Sequence, residues 1–245
     1  MNAAVALFRN EFRLVLRNSA VVIWTILIPI TAIVVMCLVP GTRTPLPNFG
    51  GLSVIEAYQP TLVVFATSML ALQMMPMFIG QYRELGFLRR LRTTPAHPRD
   101  LLAAVLALVL AISVVVGLVL LTFPLMFGVG AVGRFALELL LLVLVAAAFL
   151  AFGSMLAGVI PNPRVASGVG AAAAAVMWFF AGMWFPRALF PDWLATISDW
   201  TPGGAAASVL GAAAAGQTIG VQPLLALGLW TVLGFAVAIR SFRWE

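Results

Sequence analysis

The sequence predicts an all-α polytopic membrane protein with six transmembrane helices, and three observations carry that prediction. First, the 245 residues are 63% hydrophobic and only 9% charged. A soluble chain is about half apolar and a quarter charged, so this one could not cover its own surface in water. Second, six almost uncharged apolar stretches approach the roughly 20 residues that a helix needs to cross a hydrocarbon core. Third, the arginines between those stretches divide unequally, eleven on one side and three on the other. That bias places both termini in the cytoplasm, which requires an even number of spans.

Each element follows from its own residues. In 1–19, Phe8, Phe12 and Leu16 recur at i, i+4 and i+8, and Arg9, Arg13 and Arg17 run beside them. This is the pattern of an amphipathic interfacial helix, apolar side down and arginines toward anionic membrane lipids. Span 1 covers 20–40 and is read as uncleaved, since no Ala-x-Ala-like site lies near Pro40–Pro47. Span 2 covers 60–81, and Pro76 is expected to kink it. In the following segment Leu85, Leu88 and Leu91 fall at spacing three among Arg89, Arg90 and Arg92, before Pro95 and Pro98. That predicts a short basic helix stopped by proline. Glu84 has Phe87 and Leu88 at i+3 and i+4, so no local arginine pairs with it, and an arginine of the N-terminal helix is its expected partner. Span 3 covers 101–127. Span 4 covers 135–160 and carries Glu138, with Arg134 four residues earlier as an ordinary helix pair. Span 5 covers 165–185. An extracytoplasmic region, 186–216, follows it. Its apolar stretch Gly203–Gly216 is too short for a full span and reads as a re-entrant segment. Span 6 covers 223–239. The whole chain, 1–245, is one unit.

Composition also excludes chemistry. All 14 basic residues are arginine, so no G-x-x-x-x-G-K-[ST] phosphate loop and no Schiff-base lysine can exist here. One His (His97) and one Cys (Cys37) cannot make a His/Cys metal site or an internal disulfide. The net charge of +6 lies in short segments between spans and not on a basic face, so it orients the chain in a membrane and does not bind nucleic acid. Ion-coupled transporters carry ionisable relays within their spans, and Glu138 is the one such residue here. The spans instead hold soft apolar side chains: Phe65, Met69, Met74 and Phe78 in span 2, and Met177, Phe180, Met183 and Trp184 in span 5. Such surfaces adapt to varied apolar ligands. Hydrogen-bonding neighbours are few, chiefly Thr67, Ser68 and Gln73.

The run Tyr82-Arg-Glu-Leu-Gly-Phe-Leu-Arg-Arg-Leu-Arg-Thr-Thr-Pro95, followed by Leu101-Leu102, resembles the first cytoplasmic loop of type-2 ABC export permeases. These are the membrane subunits of daunorubicin-type drug-resistance, nodulation-factor and polysaccharide exporters, with the pattern acid–x–Gly–x–x–x–Arg–Leu–Arg–x–[ST]–Pro. Phe180-Ala-Gly-Met-Trp-Phe-Pro186, Phe190-Pro-Asp-Trp-Leu194 and Thr201-Pro202 resemble that family's dip into the membrane between the last two spans. The resemblance implies that the basic segment is a coupling helix seated in a separate ATPase subunit. Glu84, Gly86, Arg89, Arg90, Leu91 and Arg92 would then be the coupling residues. ATP and magnesium would belong to the ATPase, so this chain would hold no cofactor and would not itself be the enzyme. A second copy, or a homologous permease, would complete a dimer in a bacterial cell membrane, with spans 2 and 5 of the two subunits facing a shared cavity. The Met- and aromatic-rich spans favour a small hydrophobic or amphipathic substrate, as in multidrug efflux and antibiotic resistance. Export of a lipid-linked glycan and a non-transporting scaffold role are the alternatives.

Overall fold

The computed structural model describes residues 3–49, 51–84, 98–130 and 135–241. Among them every regular element is helical, and six helices are long and apolar enough to cross a membrane: Ser19–Leu38, Val54–Glu84, Leu101–Phe127, Phe135–Val159, Pro163–Phe180 and Val221–Ser241. These are spans 1 to 6. The end where spans 2, 4 and 6 finish and spans 1, 3 and 5 begin is called the inner end, after the orientation expected from the arginine bias.

Span 2 begins six residues before the expected position. A capping box explains this. Ser53 Oγ accepts from the Glu56 backbone N–H (3.2 Å), and Glu56 Oε2 accepts from the Ser53 backbone N–H (2.8 Å) and from its hydroxyl (2.7 Å). Two orphan donors are satisfied reciprocally, which starts the helix before its apolar run. Span 5 stops at Phe180, short of the expected Phe185. Gly182 adopts φ +88°, a left-handed conformation that ends a helix. Met183 and Trp184 therefore lie in the turn beyond span 5.

Spans 2 and 4 form the centre. Span 4 packs along span 6 and against spans 2, 3 and 5, while span 2 packs on spans 1, 3, 4 and 5. The middle of span 2 comes very close to its neighbours. A Cβ on Gly153 of span 4 would run into the Ala71 carbonyl oxygen, and one on Gly170 of span 5 into that of Leu72. Small residues let membrane helices meet backbone to backbone in this way. Span 2 is also π-helical over Met69–Met74, two residues before Pro76, and span 1 repeats the arrangement over Val22–Leu27 before Pro29. Proline has no N–H and crowds the carbonyl four residues back, so the ladder widens just before it. The irregularity expected at Pro76 thus takes the form of a π stretch that turns carbonyls toward the two glycines.

The N-terminal helix Ala3–Arg17 packs on span 3. Glu11 and Val15 face inward with Phe8 partly covered, while Phe12 and Leu16 of the apolar stripe stay exposed on the protein surface, as do Arg9, Arg13 and Arg17. In the region after span 5, a helix Asp192–Trp200 leads into a second, Pro202–Ala214. The second helix has 13 residues, about 20 Å at 1.5 Å per residue, and so cannot cross a core of about 30 Å. It is nonetheless mostly buried, wedged among spans 2, 4, 5 and 6.

Candidate functional site

Spans 2 and 5 meet in an aromatic cluster. The Phe65 ring lies 4.9 Å from that of Trp178, which lies 6.3 Å from Trp184. Trp178 Nε1 donates to Ser68 Oγ (2.7 Å), and that hydroxyl donates to the Phe65 carbonyl (3.0 Å). A half-buried indole N–H favours such a partner. Of the expected path residues, Phe65 and Met177 are buried, Met69, Met74, Phe78, Phe180 and Met183 are half-buried, and Trp184 is exposed. Phe180 stacks edge-on with Phe179 at 5.4 Å, and Phe179 lies flat against Phe190 at 6.0 Å. Trp178 joins Phe65 to Trp184; it belongs to the aromatic run of span 5, but nothing in the local sequence marks Ser68 as its partner.

The polar groups of span 2 are engaged inside the protein. Gln59 Nε2 donates to the Leu120 carbonyl (2.9 Å) and Thr61 Oγ1 to that of Ala181 (2.9 Å), closing the ends of spans 3 and 5. Thr67 donates to the Val63 carbonyl, and Gln73 Nε2 to Met69 Sδ (2.7 Å). Thr67 and Gln73 thus bond within span 2, whereas Gln59, Thr61 and Ser68 tie span 2 to its neighbours.

The inner end of span 2 is tied on two sides. Tyr82 OH donates to Glu11 Oε2 of the N-terminal helix at 2.6 Å. Arg83 Nη1 donates to the Ala157 carbonyl at 2.7 Å, in the last turn of span 4, where a cation also suits the helix dipole. Glu84 is exposed and makes no ion pair with Arg9, Arg13 or Arg17. The expected arginine–glutamate pairing is thus replaced by Tyr82–Glu11, because the N-terminal helix turns its Glu11 edge, and not its arginines, toward span 2. Gly86, Arg89, Arg90, Leu91 and Arg92 lie outside the described residues, as does Arg134, the expected partner of Glu138. Glu138 itself is buried.

At the other end of span 2, a cavity of about 320 Å³ opens between the start of that span, the turn after span 5 and the helix Pro202–Ala214. Phe49, Glu56, Tyr58, Arg187, Ser208 and Gln217 contribute to its walls.

Residues 2–212 match the family model described as ABC-2 type transporter. No curated protein matches the chain.

Proposed function

The chain belongs to the ABC-2 type transporter family, the membrane component of an ABC transporter that works with an ABC ATPase subunit, and from that premise we propose that it exports hydrophobic or amphipathic compounds. One observation supports this cargo class above all. Where spans 2 and 5 meet, the Ser68 and Thr67 hydroxyls are bonded within the protein and Gln73 gives one N–H to Met69, so the surface there is chiefly aromatic and thioether. Such a surface recognises apolar area and not hydroxyl pattern. ATP and magnesium are bound by the partner. Closure of that subunit enters through Glu84 and the basic segment after it, whose root is fixed by Tyr82–Glu11 and Arg83–Ala157. A second copy or a related permease completes the path. Span 5 offers it an outward face of Val165, Gly168, Val169 and Val176.

The test is ATP hydrolysis by the chain reconstituted with its ABC ATPase subunit. Hydrophobic cations or lipid-like amphiphiles should stimulate hydrolysis severalfold. Phe65→Ala and Trp178→Ala should shift which compounds stimulate, and Glu84→Arg should abolish stimulation while leaving the basal rate of the ATPase. Stimulation by soluble oligosaccharide carriers alone would overturn the cargo assignment. Unchanged stimulation in Glu84→Arg would overturn the coupling role.

A further inference from the structure

A second cavity lies on the other side of span 2, away from span 5. It holds about 360 Å³ and is walled by Met75 and Ile79 of span 2, Leu106 of span 3, Ser154 of span 4, and Phe235 and Ile239 of span 6. All of these sit in the inner half of their spans. Its lining is apolar apart from Ser154, whose Oγ donates to the Leu150 carbonyl at 2.6 Å and lies 3.6 Å from Met75 Sδ, and so asks nothing of a ligand. Cavities of about 150 Å³ lined in this way stay dry and accept benzene, so this one has room for a longer chain. Its opening is lateral. Spans 3 and 6 both pack on span 4 but not closely on each other, and Ile239 at the rim is 78% exposed. In a bilayer that seam faces acyl chains.

Arg240, exposed, directly follows Ile239 at the rim. A dry apolar slot that opens sideways beneath an arginine at the membrane surface matches an anionic amphiphile. We propose that the slot holds one acyl chain of an anionic phospholipid from the inner leaflet, its phosphate at Arg240. The lipid fills the gap between spans 2, 3 and 6 just beneath the root of the coupling segment. The site is separate from the cargo path and does not depend on the cargo proposed above.

The full chain, reconstituted in phosphatidylcholine vesicles containing phosphatidylglycerol with a diazirine in one acyl chain, tests this. After irradiation, adducts should concentrate on Leu106 and Phe235 and be sparse on Val232, which is exposed on span 6 outside the slot. Filling the slot with Ala238→Trp, at a span 6 position that also lines it, or with the milder Leu106→Phe, should remove most of the labelling on Phe235. Arg240→Gln changes only the rim. It should cut the preference for phosphatidylglycerol over phosphatidylcholine about fivefold, the roughly 1 kcal/mol that a basic residue contributes at an anionic surface. Labelling spread evenly over Val232 and the slot residues, or untouched by either filling variant, would mean annular lipid only and would overturn the proposal.

Discussion

The Arg187 guanidinium donates from Nη1 to Ser198 Oγ (2.8 Å) and to the Phe180 (3.4 Å) and Gly204 carbonyls, and from Nη2 to Asp199 Oδ1 (2.6 Å). One side chain thus joins the end of span 5 to both short helices. Hydrogen bonds to a charged group contribute about 1.5–3 kcal/mol each when partly buried, and an ammonium cannot reproduce the fork. Both Arg187→Ala and Arg187→Lys should therefore lower the thermal unfolding midpoint in detergent, alanine more. A midpoint unmoved in both would show that the clamp is not structural. Glu11 is the second decisive residue. Burial pushes its carboxyl above the ordinary carboxylate value, and the Tyr82 hydrogen bond draws it partly back. A raised pKa means that the docked helix binds more protons than the released one. Docking is thus firmest below the ordinary carboxylate value and weakens as pH rises through the raised one. Spin labels on the N-terminal helix and span 3 should separate over that window, and Glu11→Gln should abolish the pH dependence. The same dependence in Glu11→Gln would assign it to another group.

At the scale of elements, the contacts of span 2 rest on backbone, not on side-chain bulk. The π stretch before Pro76 carries the Ala71 and Leu72 carbonyls to Gly153 and Gly170. A methyl group at either glycine meets a carbonyl that cannot swing aside as a side-chain tip would. Gly153→Ala and Gly170→Ala should each destabilise the fold by about 1–3 kcal/mol, the usual range for overpacking. Gly168→Ala is the control, because nothing lies within 4 Å of its added Cβ, and helix propensity then favours alanine. Unfolding of the three variants in detergent compares them directly. Equal stabilities would show that the span 2 contacts relax freely. If Gly168→Ala leaves the monomer intact but weakens self-association, the outward face of span 5 is the subunit contact.

For the whole molecule, the eleven-to-three arginine bias predicts a definite orientation. In intact cells, and in a Cys37→Ser background, a cysteine at exposed Thr218 should react with a membrane-impermeant maleimide, while one at exposed Glu84 should react only after lysis. The reverse pattern would invert the topology. Hydrophobic run length alone made the number of spans legible, because lipid offers no other partner for a backbone of that length. Pro76 marked where span 2 is irregular, whereas the end of span 5 at Gly182 falls inside the stretch expected to be helical. The site was legible only as composition: Phe65, Met177 and their neighbours are soft and apolar, but periodicity does not say which of them meet. Trp178 on Ser68, Glu11 on Tyr82 and Arg187 on Asp199 link residues from 12 to 110 positions apart, and local pattern carries no trace of such pairs. The sequence by itself determined the solvent, the spans and the family pattern, since hydrophobicity, charge bias and local motifs are properties of neighbouring residues. Only the tertiary structure decided which polar groups remain open to a ligand, since that depends on which helix brings a carbonyl, an indole or a glycine against them.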